Sequence, residues 1–360
     1  MSDRLFLNRR EFLVGLGAMT AGVVSCQAQT SNQPEPATSP TPTVSPVTLF
    51  GAGATFPYYL YQRWFAEYNR MHPHVQISYQ PVGSAAGIQQ FISGTLDFGA
   101  SEVTPTDADV AKVKRGAVFV PTAAGGIAVV YNLPNIKSGL KLSREVLPAI
   151  FLGEITNWND PAIAALNPDL TLPDLPIAPI HRSDGSGTTA AFTAHLSAIS
   201  PAWKDRIGTG LNVEWQTGTG IKDNAGIAAQ IQQGSGTIGY VEYAFAMQLE
   251  LAIASLQNKA NEYISLTEAS VTNALASIQL SDDLRGSVPD PDKPGAYPIV
   301  TYSWLLAYNE YPDASKAQML KDVFNWGLSE GQKFASELGY VSLPTEIITK
   351  SQVALSQITA

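Results

Sequence analysis

Short apolar runs alternate with helical stripes along this chain from Val47 onward, and this alternation limits the possible folds more than any other feature. Residues 75–79 alternate apolar and polar side chains, as a half-buried strand does. Residues 117–120 and 127–131 are short apolar runs flanked by Pro or Gly, which is typical of buried strands. Strands that alternate with helices predict an α/β fold with mostly parallel sheets and flanking helices.

Two segments place apolar or aromatic side chains at the spacing of an α-helix. The two stripes are Tyr61, Trp64, Phe65 and Tyr68, and Phe192, His195, Leu196 and Ile199. We interpret His195 as a core histidine with a satisfied hydrogen bond. None of the 4 histidines forms an i, i+4 pair, so a metal site is not expected.

The 360 residues are enough for two domains of ordinary size. The formal net charge is −9, and the sequence contains no cluster of Lys and Arg. Both features argue against a nucleic-acid partner, which would need a basic face. If this acidic chain binds an anion, it must do so through a local site.

The first 26 residues are typical of an export signal and are set aside before the fold is considered. Residues 8–13 resemble a twin-arginine signal, and the uncharged run 12–24 is shorter than the ~20 residues that span a bilayer. The stretch that ends at Cys26 resembles the lipobox of bacterial lipoproteins, so we predict acylation there; the alternative is an ordinary buried cysteine in a membrane segment. Residues 27–46, rich in Pro, Ser and Thr, predict an extended linker.

Turns of small residues precede a predicted helix at three places, in residues 51–57, 83–87 and 184–189. Pro57 is predicted as a first helical residue and Ser84 as an N-cap. A helix start presents unpaired backbone N–H groups, and glycine allows a ligand to approach them closely. Three such starts that meet could bind a tetrahedral oxyanion with few formal charges; the alternative for each turn is simple helix capping.

Arg182 lies just before the third turn, two residues ahead of Asp184. Its guanidinium can donate two parallel hydrogen bonds to an oxyanion, and Asp184 is placed to hold it. As an exposed ion pair alone, these residues would contribute less than ~1 kcal/mol. The sequence therefore predicts an anion site that includes Arg182.

These segments resemble the phosphate-binding subunit of the bacterial high-affinity phosphate ABC transporter over nearly all of residues 47–350. The matching stretches are residues 51–57, 82–84, 97–101, 182–188 and 239–243. The resemblance implies a two-lobed, type II periplasmic binding-protein fold with the ligand in the cleft between the lobes.

The resemblance also implies how the chain is divided. Residues 47–123 and 299–360 would form lobe I, and residues 124–298 would form lobe II. Gly125-Gly126 and residues 297–301 are the candidate crossings between the lobes, which would close on the ligand by a hinge.

The resemblance implies a set of phosphate ligands, carried over position by position, and no cofactor. The ligands would be Thr55 and Phe56 (backbone N–H), Ser84, Glu102, Arg182, Ser186, Gly187 (N–H) and Thr188, with Asp184 supporting Arg182. The implied protein is a monomer and not an enzyme. It would lie outside the cytoplasmic membrane, anchored through Cys26, and would deliver phosphate to the permease subunits of an ABC importer.

Glu102 departs from the family pattern, which has Asp at this position. In the family this carboxylate accepts a hydrogen bond from the proton on phosphate, and it rejects sulfate because sulfate has no proton to give. Glu is one methylene longer, so affinity and selectivity can differ. A related protein for sulfate, molybdate or an organic phosphate stays open, and so does a role in sensing phosphate.

Two enzyme classes are weaker alternatives. A G-x-S-x-G pattern at residues 327–331 is typical of serine hydrolases, but it lies in a predicted helix over residues 322–338 and not on a strand-to-helix elbow. Gly51-Ala-Gly53 begins a dinucleotide-binding pattern, yet Phe56 replaces the last glycine and there is no Walker lysine motif.

Overall fold

The computed structural model describes residues 46–360, and strands and helices alternate through them as predicted. The strands are β1 (Val47–Gly53), β2 (Val75–Pro81), β3 (Phe98–Ser101), β4 (Val118–Tyr131), β5 (Lys141–Leu142), β6 (Ala178–Arg182), β7 (Thr219–Ile221), β8 (Thr237–Glu242), β9 (Ala252–Ile253), β10 (Ser255–Gln257), β11 (Tyr263–Ile264) and β12 (Val300–Ala307).

The helices flank these strands. They are α1 (Tyr58–Met71), α2 (Ser84–Ser93), α3 (Asp107–Val110), α4 (Val146–Phe151), α5 (Pro161–Leu166), α6 (Gly187–Ile199), α7 (Pro201–Arg206), α8 (Asp223–Gln233), α9 (Tyr243–Gln248), α10 (Glu268–Leu275), α11 (Ala314–Ser329) and α12 (Thr345–Ser356). Short 3₁₀ helices cover Gly331–Phe334 and Ser336–Leu338.

Nine strands form the main sheet, in the order β2-β1-β3-β12-β4-β8-β6-β7 with β9 beside β4, while β11, β10 and β5 form a small second sheet. The outer strands are parallel on both sides, β2-β1-β3 in what we call the first wing and β8-β6-β7 in the second wing. The centre is antiparallel: β12 pairs in this way with both β3 and β4, and β4 pairs in this way with β8. The α/β class is confirmed, with its parallel pairing in the two wings.

β4 joins the two wings, and all 14 of its residues are buried. It pairs with β12 up to Gly126 and with β8 from Ile127 onward. The strand therefore passes from one wing to the other at the predicted Gly125-Gly126 crossing. The division into two lobes with the boundaries given above stays a prediction.

The prediction of buried strand at residues 117–120 and 127–131 is confirmed except at Ala117, and both runs belong to the one strand β4. Pro121 does not end the strand, since the ladder with β12 is irregular between Ser303 and Trp304. Thr122 is the additional residue at this point, and such a bulge tolerates the missing N–H of a proline.

Both predicted helical stripes are confirmed in α1 and α6. Tyr61, Trp64, Phe65 and Tyr68 are buried in the core of the first wing. In α6, Phe192 and Leu196 are buried, and His195 is buried with its Nδ1 2.8 Å from the carbonyl oxygen of Pro289. Burial lowers the pKa of His195 to about 4, so it is a neutral core histidine, as predicted.

Each wing places helix starts at one edge of its sheet. β1 leads into α1 and β2 into α2 in the first wing, while β6, β7 and β8 lead into α6, α8 and α9 in the second. Helices that follow parallel strands begin beyond the carboxyl ends of those strands, where ligands of α/β proteins bind. Within residues 46–360, no helix is both long and apolar enough to cross a membrane.

Candidate anion-binding site

The three predicted turns meet between the two wings. The backbone N–H of Ala85 in α2 donates to the carbonyl of Gly185 in the third turn at 3.0 Å. The side chain of Asn224 in α8 donates to the hydroxyl of Thr55 in the first turn at 2.7 Å. The two wings therefore touch at the helix starts, and the residues between them are shielded from solvent.

The first turn bends sharply at the end of β1. Gly53 has a φ of 144°, and a Cβ there would lie 2.1 Å from the carbonyl oxygen of Ala100, so only glycine fits. Thr55 and Phe56 follow and are buried. Pro57 is the residue before the first helical residue, so α1 begins one residue later than predicted.

The second turn differs from the prediction in one respect. Gly83, with a φ of 95°, is the N-cap of α2, and Ser84 is its first helical residue. A Cβ at position 83 would lie 2.6 Å from Oδ2 of Asp184, because the third turn packs against it. Ser84 does not cap the helix; its hydroxyl donates to Oε2 of Glu102 at 3.2 Å.

The third turn begins α6. Ser186 is the N-cap, and its Oγ accepts a hydrogen bond from the N–H of Thr189 at 3.1 Å. A Cβ on Gly187 would lie 2.4 Å from Oε2 of Glu102 and 2.8 Å from Oγ of Ser84. The backbone of α6 at Gly187 thus lies against two residues of the first wing, which only glycine permits.

Arg182 carries the positive charge of the cluster, and its side chain is 1% exposed. Nε donates to Oδ1 of Asp184 at 2.7 Å and Nη2 donates to Oδ2, so the carboxylate holds one edge of the guanidinium. Burial alone would raise the pKa of Asp184, but the bonds and charge of Arg182 outweigh it and keep that pKa below its usual value. The third nitrogen, Nη1, is buried and has no hydrogen-bond partner among the described residues.

Glu102 lies in the same cluster. Its Oε2 accepts from Ser84 at 3.2 Å, and its Oε1 accepts from the hydroxyl of Ser303 at 3.1 Å. Burial raises the pKa of Glu102 to about 7, against the charge of Arg182 and the two serine hydrogen bonds. The longer side chain is therefore accommodated, with one oxygen held by β12 and the other facing the helix starts.

Two residues of the cluster were not predicted from the sequence. Asn224, fully buried at the start of α8, lies between Thr55 and Thr188, and Ser303 lies on β12 beside Glu102. A weak signal existed for both. Asn224 stands in a fourth polar segment before a helical stripe, and Ser303 is a small polar residue in a strand whose other residues are mostly apolar.

The residues of the hydrolase pattern lie elsewhere. Ser329 is the last residue of α11, and its hydroxyl donates to the carbonyl of Asn325 at 2.8 Å. Ser329 is helical, as predicted, but the predicted helix over residues 322–338 is wrong. The carbonyl of Gly331 accepts from the indole of Trp64 at 2.9 Å, and the chain continues there in 3₁₀ turns. No group of three or more His, Cys, Asp or Glu in residues 46–360 is placed to hold a metal ion.

Comparison with known proteins first gives the class. A family model described as a PBP superfamily domain matches residues 32–330. A high-affinity periplasmic phosphate-binding protein called PfluDING, solved with bound phosphate, has a similar fold: the TM-score is 0.68 with 18% sequence identity over 85% of this chain and 93% of that one. Both findings define a binding-protein fold.

Curated relatives then give the family. A phosphate-binding protein PstS from Pasteurella multocida is 44% identical over 310 residues, which cover 85% of this chain and 89% of the relative. A phosphate-binding protein PstS from Haemophilus influenzae is 42% identical over 312 residues, which cover 85% and 92%. The chain belongs to the PstS family of phosphate-binding proteins, a family of solute-binding proteins and not of the hydrolases or nucleotide-binding enzymes considered above.

Proposed function

We propose that this protein binds inorganic phosphate reversibly outside the cytoplasmic membrane and delivers it to the permease of an ABC importer. The observation that carries the proposal is the buried Nη1 of Arg182, a charged donor without a partner among the described residues. A buried unsatisfied donor costs about 1–3 kcal/mol, and more when it is charged, which an oxyanion at this position would remove. The family membership favours phosphate as that oxyanion.

The donors of the proposed site come from both wings. The backbone N–H groups of Thr55, Phe56 and Gly187 lie at helix starts, where the helix dipole favours an anion. The hydroxyls of Ser186 and Thr188 add neutral donors. The hydroxyl of Ser84, which donates to Oε2 of Glu102 in this structure, would turn its proton to the anion. One full positive charge, on Arg182, then suffices, and Asp184 keeps its guanidinium in place.

Glu102 is the proposed acceptor. A monohydrogen phosphate has one P–O–H group that can donate to the carboxylate, whereas sulfate at neutral pH has none. A sulfate oxygen against an ionised Glu102 would be repelled and left without a partner. Oε1 accepts from Ser303 on β12, whereas Oε2 lies at the helix starts, against Gly187 and Ser84. Oε2 is therefore the oxygen that would face the ligand.

Release of the ligand requires the wings to separate. We propose that residues 47–123 with 299–360 form one lobe and residues 124–298 the other, with a hinge where β4 and β12 pass between them. The protein would act as a monomer. The proposed twin-arginine signal, the acylated Cys26 and the linker over residues 27–46 would tether it to the membrane; apart from residue 46, they lie outside the described residues.

Calorimetric titration of the purified protein, stripped of bound ligand, tests the proposal near pH 8, where Glu102 is ionised. Phosphate, sulfate and arsenate are titrated in turn. We expect tight one-to-one binding of phosphate and arsenate and no heat with sulfate. Preference for sulfate, molybdate or an organic phosphate would assign the site to another oxyanion, and no binding of any oxyanion would refute the site.

A further inference from the structure

Asn224 connects the two wings through a single side-chain amide. Its Nδ2 donates to Oγ1 of Thr55 at 2.7 Å and lies 3.5 Å from Oγ1 of Thr188. Thr55 belongs to the turn after β1, in the first wing, whereas Thr188 and Asn224 belong to α6 and α8 of the second wing. All three residues are buried.

The orientation of this amide is fixed by its other end. Oδ1 of Asn224 accepts the backbone N–H of Glu242 at 3.1 Å, and a backbone N–H can only donate. The amide oxygen must therefore face β8, and the two N–H donors must face the threonine hydroxyls. The opposite flip would set Nδ2 against the N–H of Glu242, which are two donors with no acceptor between them.

The position of Asn224 is tied to the arginine pair. The backbone N–H of Asp223 donates to Oδ1 of Asp184 at 3.0 Å, the same oxygen that holds Nε of Arg182. Asp223 has a φ of 58°, and its own carboxylate accepts from the N–H of Gly226 at 2.7 Å. The start of α8 is thus anchored to the carboxylate that positions the cation.

We propose that Asn224 is a positioning residue for the anion, which makes the hydroxyl of Thr55 a donor to the ligand and fastens the first wing to the second when the site is closed. This inference rests on the proposed function. A hydroxyl that accepts from Nδ2 has its own proton free to point elsewhere, here toward the anion. The longer contact from Nδ2 of Asn224 orients the hydroxyl of Thr188 in the same way. Glu102 is then the acceptor among several donors that face the anion. This arrangement favours an anion that carries one proton over an anion that carries none.

The first experiment is a double-mutant cycle on phosphate affinity with Asn224→Ala, Thr55→Val and the pair. Loss of one charge-assisted donor contact weakens binding by about tenfold or more, so we expect about that loss in each single variant. Because Asn224 acts through Thr55, the double variant should bind phosphate nearly as tightly as Thr55→Val alone. The loss should appear mainly as faster dissociation in stopped-flow measurements, since the contact forms across the closed cleft.

Asn258→Ala is the matched control. Asn258 is as buried as Asn224. Its Nδ2 donates to the carboxylate of Glu262, and its Oδ1 accepts from the backbone N–H of Glu262. It lies outside the proposed site. We expect it to lower thermal stability about as much as Asn224→Ala and to leave phosphate affinity unchanged.

Asn224→Leu separates positioning from filling of space. Leu has the same branching at Cγ and no charge, but it offers no donor to the hydroxyl of Thr55. We expect Asn224→Leu to bind phosphate as weakly as Asn224→Ala, whereas a role in filling space alone predicts that it binds more tightly than Asn224→Ala. Additive losses in the cycle, or an Asn224→Ala affinity equal to that of Asn258→Ala, would overturn the inference alone; unchanged affinity in Arg182→Ala would instead overturn the proposed site.

Discussion

The two wings make different contributions to the candidate site. The second wing holds the cation, Arg182, with its counter-ion Asp184 already in place. Among residues 46–360, the first wing brings no cation to the site and instead brings the buried carboxylate of Glu102. The comparison suggests a division of labour, in which the second wing provides most of the affinity for an anion and the first wing decides which anion is accepted.

Removing the cation should have the largest effect. We expect Arg182→Ala to weaken phosphate binding by about 10²–10³-fold, because truncating a buried charged partner costs about 2–5 kcal/mol. Calorimetry measures the change. Arg144→Ala is the control, since Arg144 also forms a two-bond pair with an aspartate, Asp290, away from the site. Equal losses in both variants would mean that Arg182 only stabilises the fold.

Neutralising the first-wing carboxylate should change selectivity more than affinity. The amide of a Glu102→Gln variant can donate to an oxygen without a proton, so sulfate binding should appear and the phosphate-to-sulfate ratio should fall by about tenfold or more. Competition titrations with both anions measure this ratio. A ratio that does not move would show that the first wing is not the discriminating side.

Lowering the pH should imitate that substitution. Burial raises the pKa of Glu102 to about 7, so the carboxyl gains a proton as the pH falls through 7 and can then donate to sulfate. We expect sulfate, titrated alone because phosphate itself gains a proton over this range, to bind more tightly at pH 6 than at pH 8 in the native protein, and equally at both in Glu102→Gln.

The same raised pKa affects stability in the absence of ligand. The folded protein holds the proton on Glu102 more tightly than the unfolded chain, so the contribution of this group is full below the unfolded pKa and is lost as the pH rises through about 7. Melting temperatures of the ligand-free native protein and Glu102→Gln should therefore diverge as the pH rises from about 4.5 to about 7 and differ by a constant amount above pH 7. Parallel curves between pH 4.5 and pH 7 would contradict the assignment.

Ser303→Ala should have the smallest effect. It removes the hydrogen bond to Oε1 of Glu102, one of the contacts that lower the carboxyl pKa. The midpoint of the selectivity change should shift to higher pH, with a loss of phosphate affinity of only about threefold or less. Competition titrations across the pH range measure the midpoint, and a shift to lower pH would be the contrary result.

The predictable part of the site is local in sequence. Arg182 and Asp184 are two residues apart, and each helix start shows its glycines and hydroxyls within a few positions. Ser303 and Glu102 are 201 residues apart, and Asn224 and Thr55 are 169 apart, so only the fold brings them together. Gly83, and not the predicted Ser84, is the N-cap of α2 for the same reason. Asp184 of the other wing limits the space at position 83, and the local sequence does not show this contact.

The part of the fold that the sequence predicts is likewise local. Apolar periodicity identified β2, both ends of β4 and the helical stripes of α1 and α6, because burial imposes it. The continuity of β4 through Pro121 depends on an irregular ladder with β12, and the end of α11 depends on the indole of Trp64. Neither partner is visible in the local sequence.

The pairing of Arg182 with Asp184 has a consequence for how the ligand arrives. Because the cation carries its counter-ion, the pair has almost no net charge, and the chain as a whole has a formal charge of −9. Such a site attracts anions little from a distance; it recognises them on contact. Capture should therefore not be slowed by salt: because salt screens the repulsion by the net negative chain, the protein would collect its ligand at least as fast in brine as in fresh water.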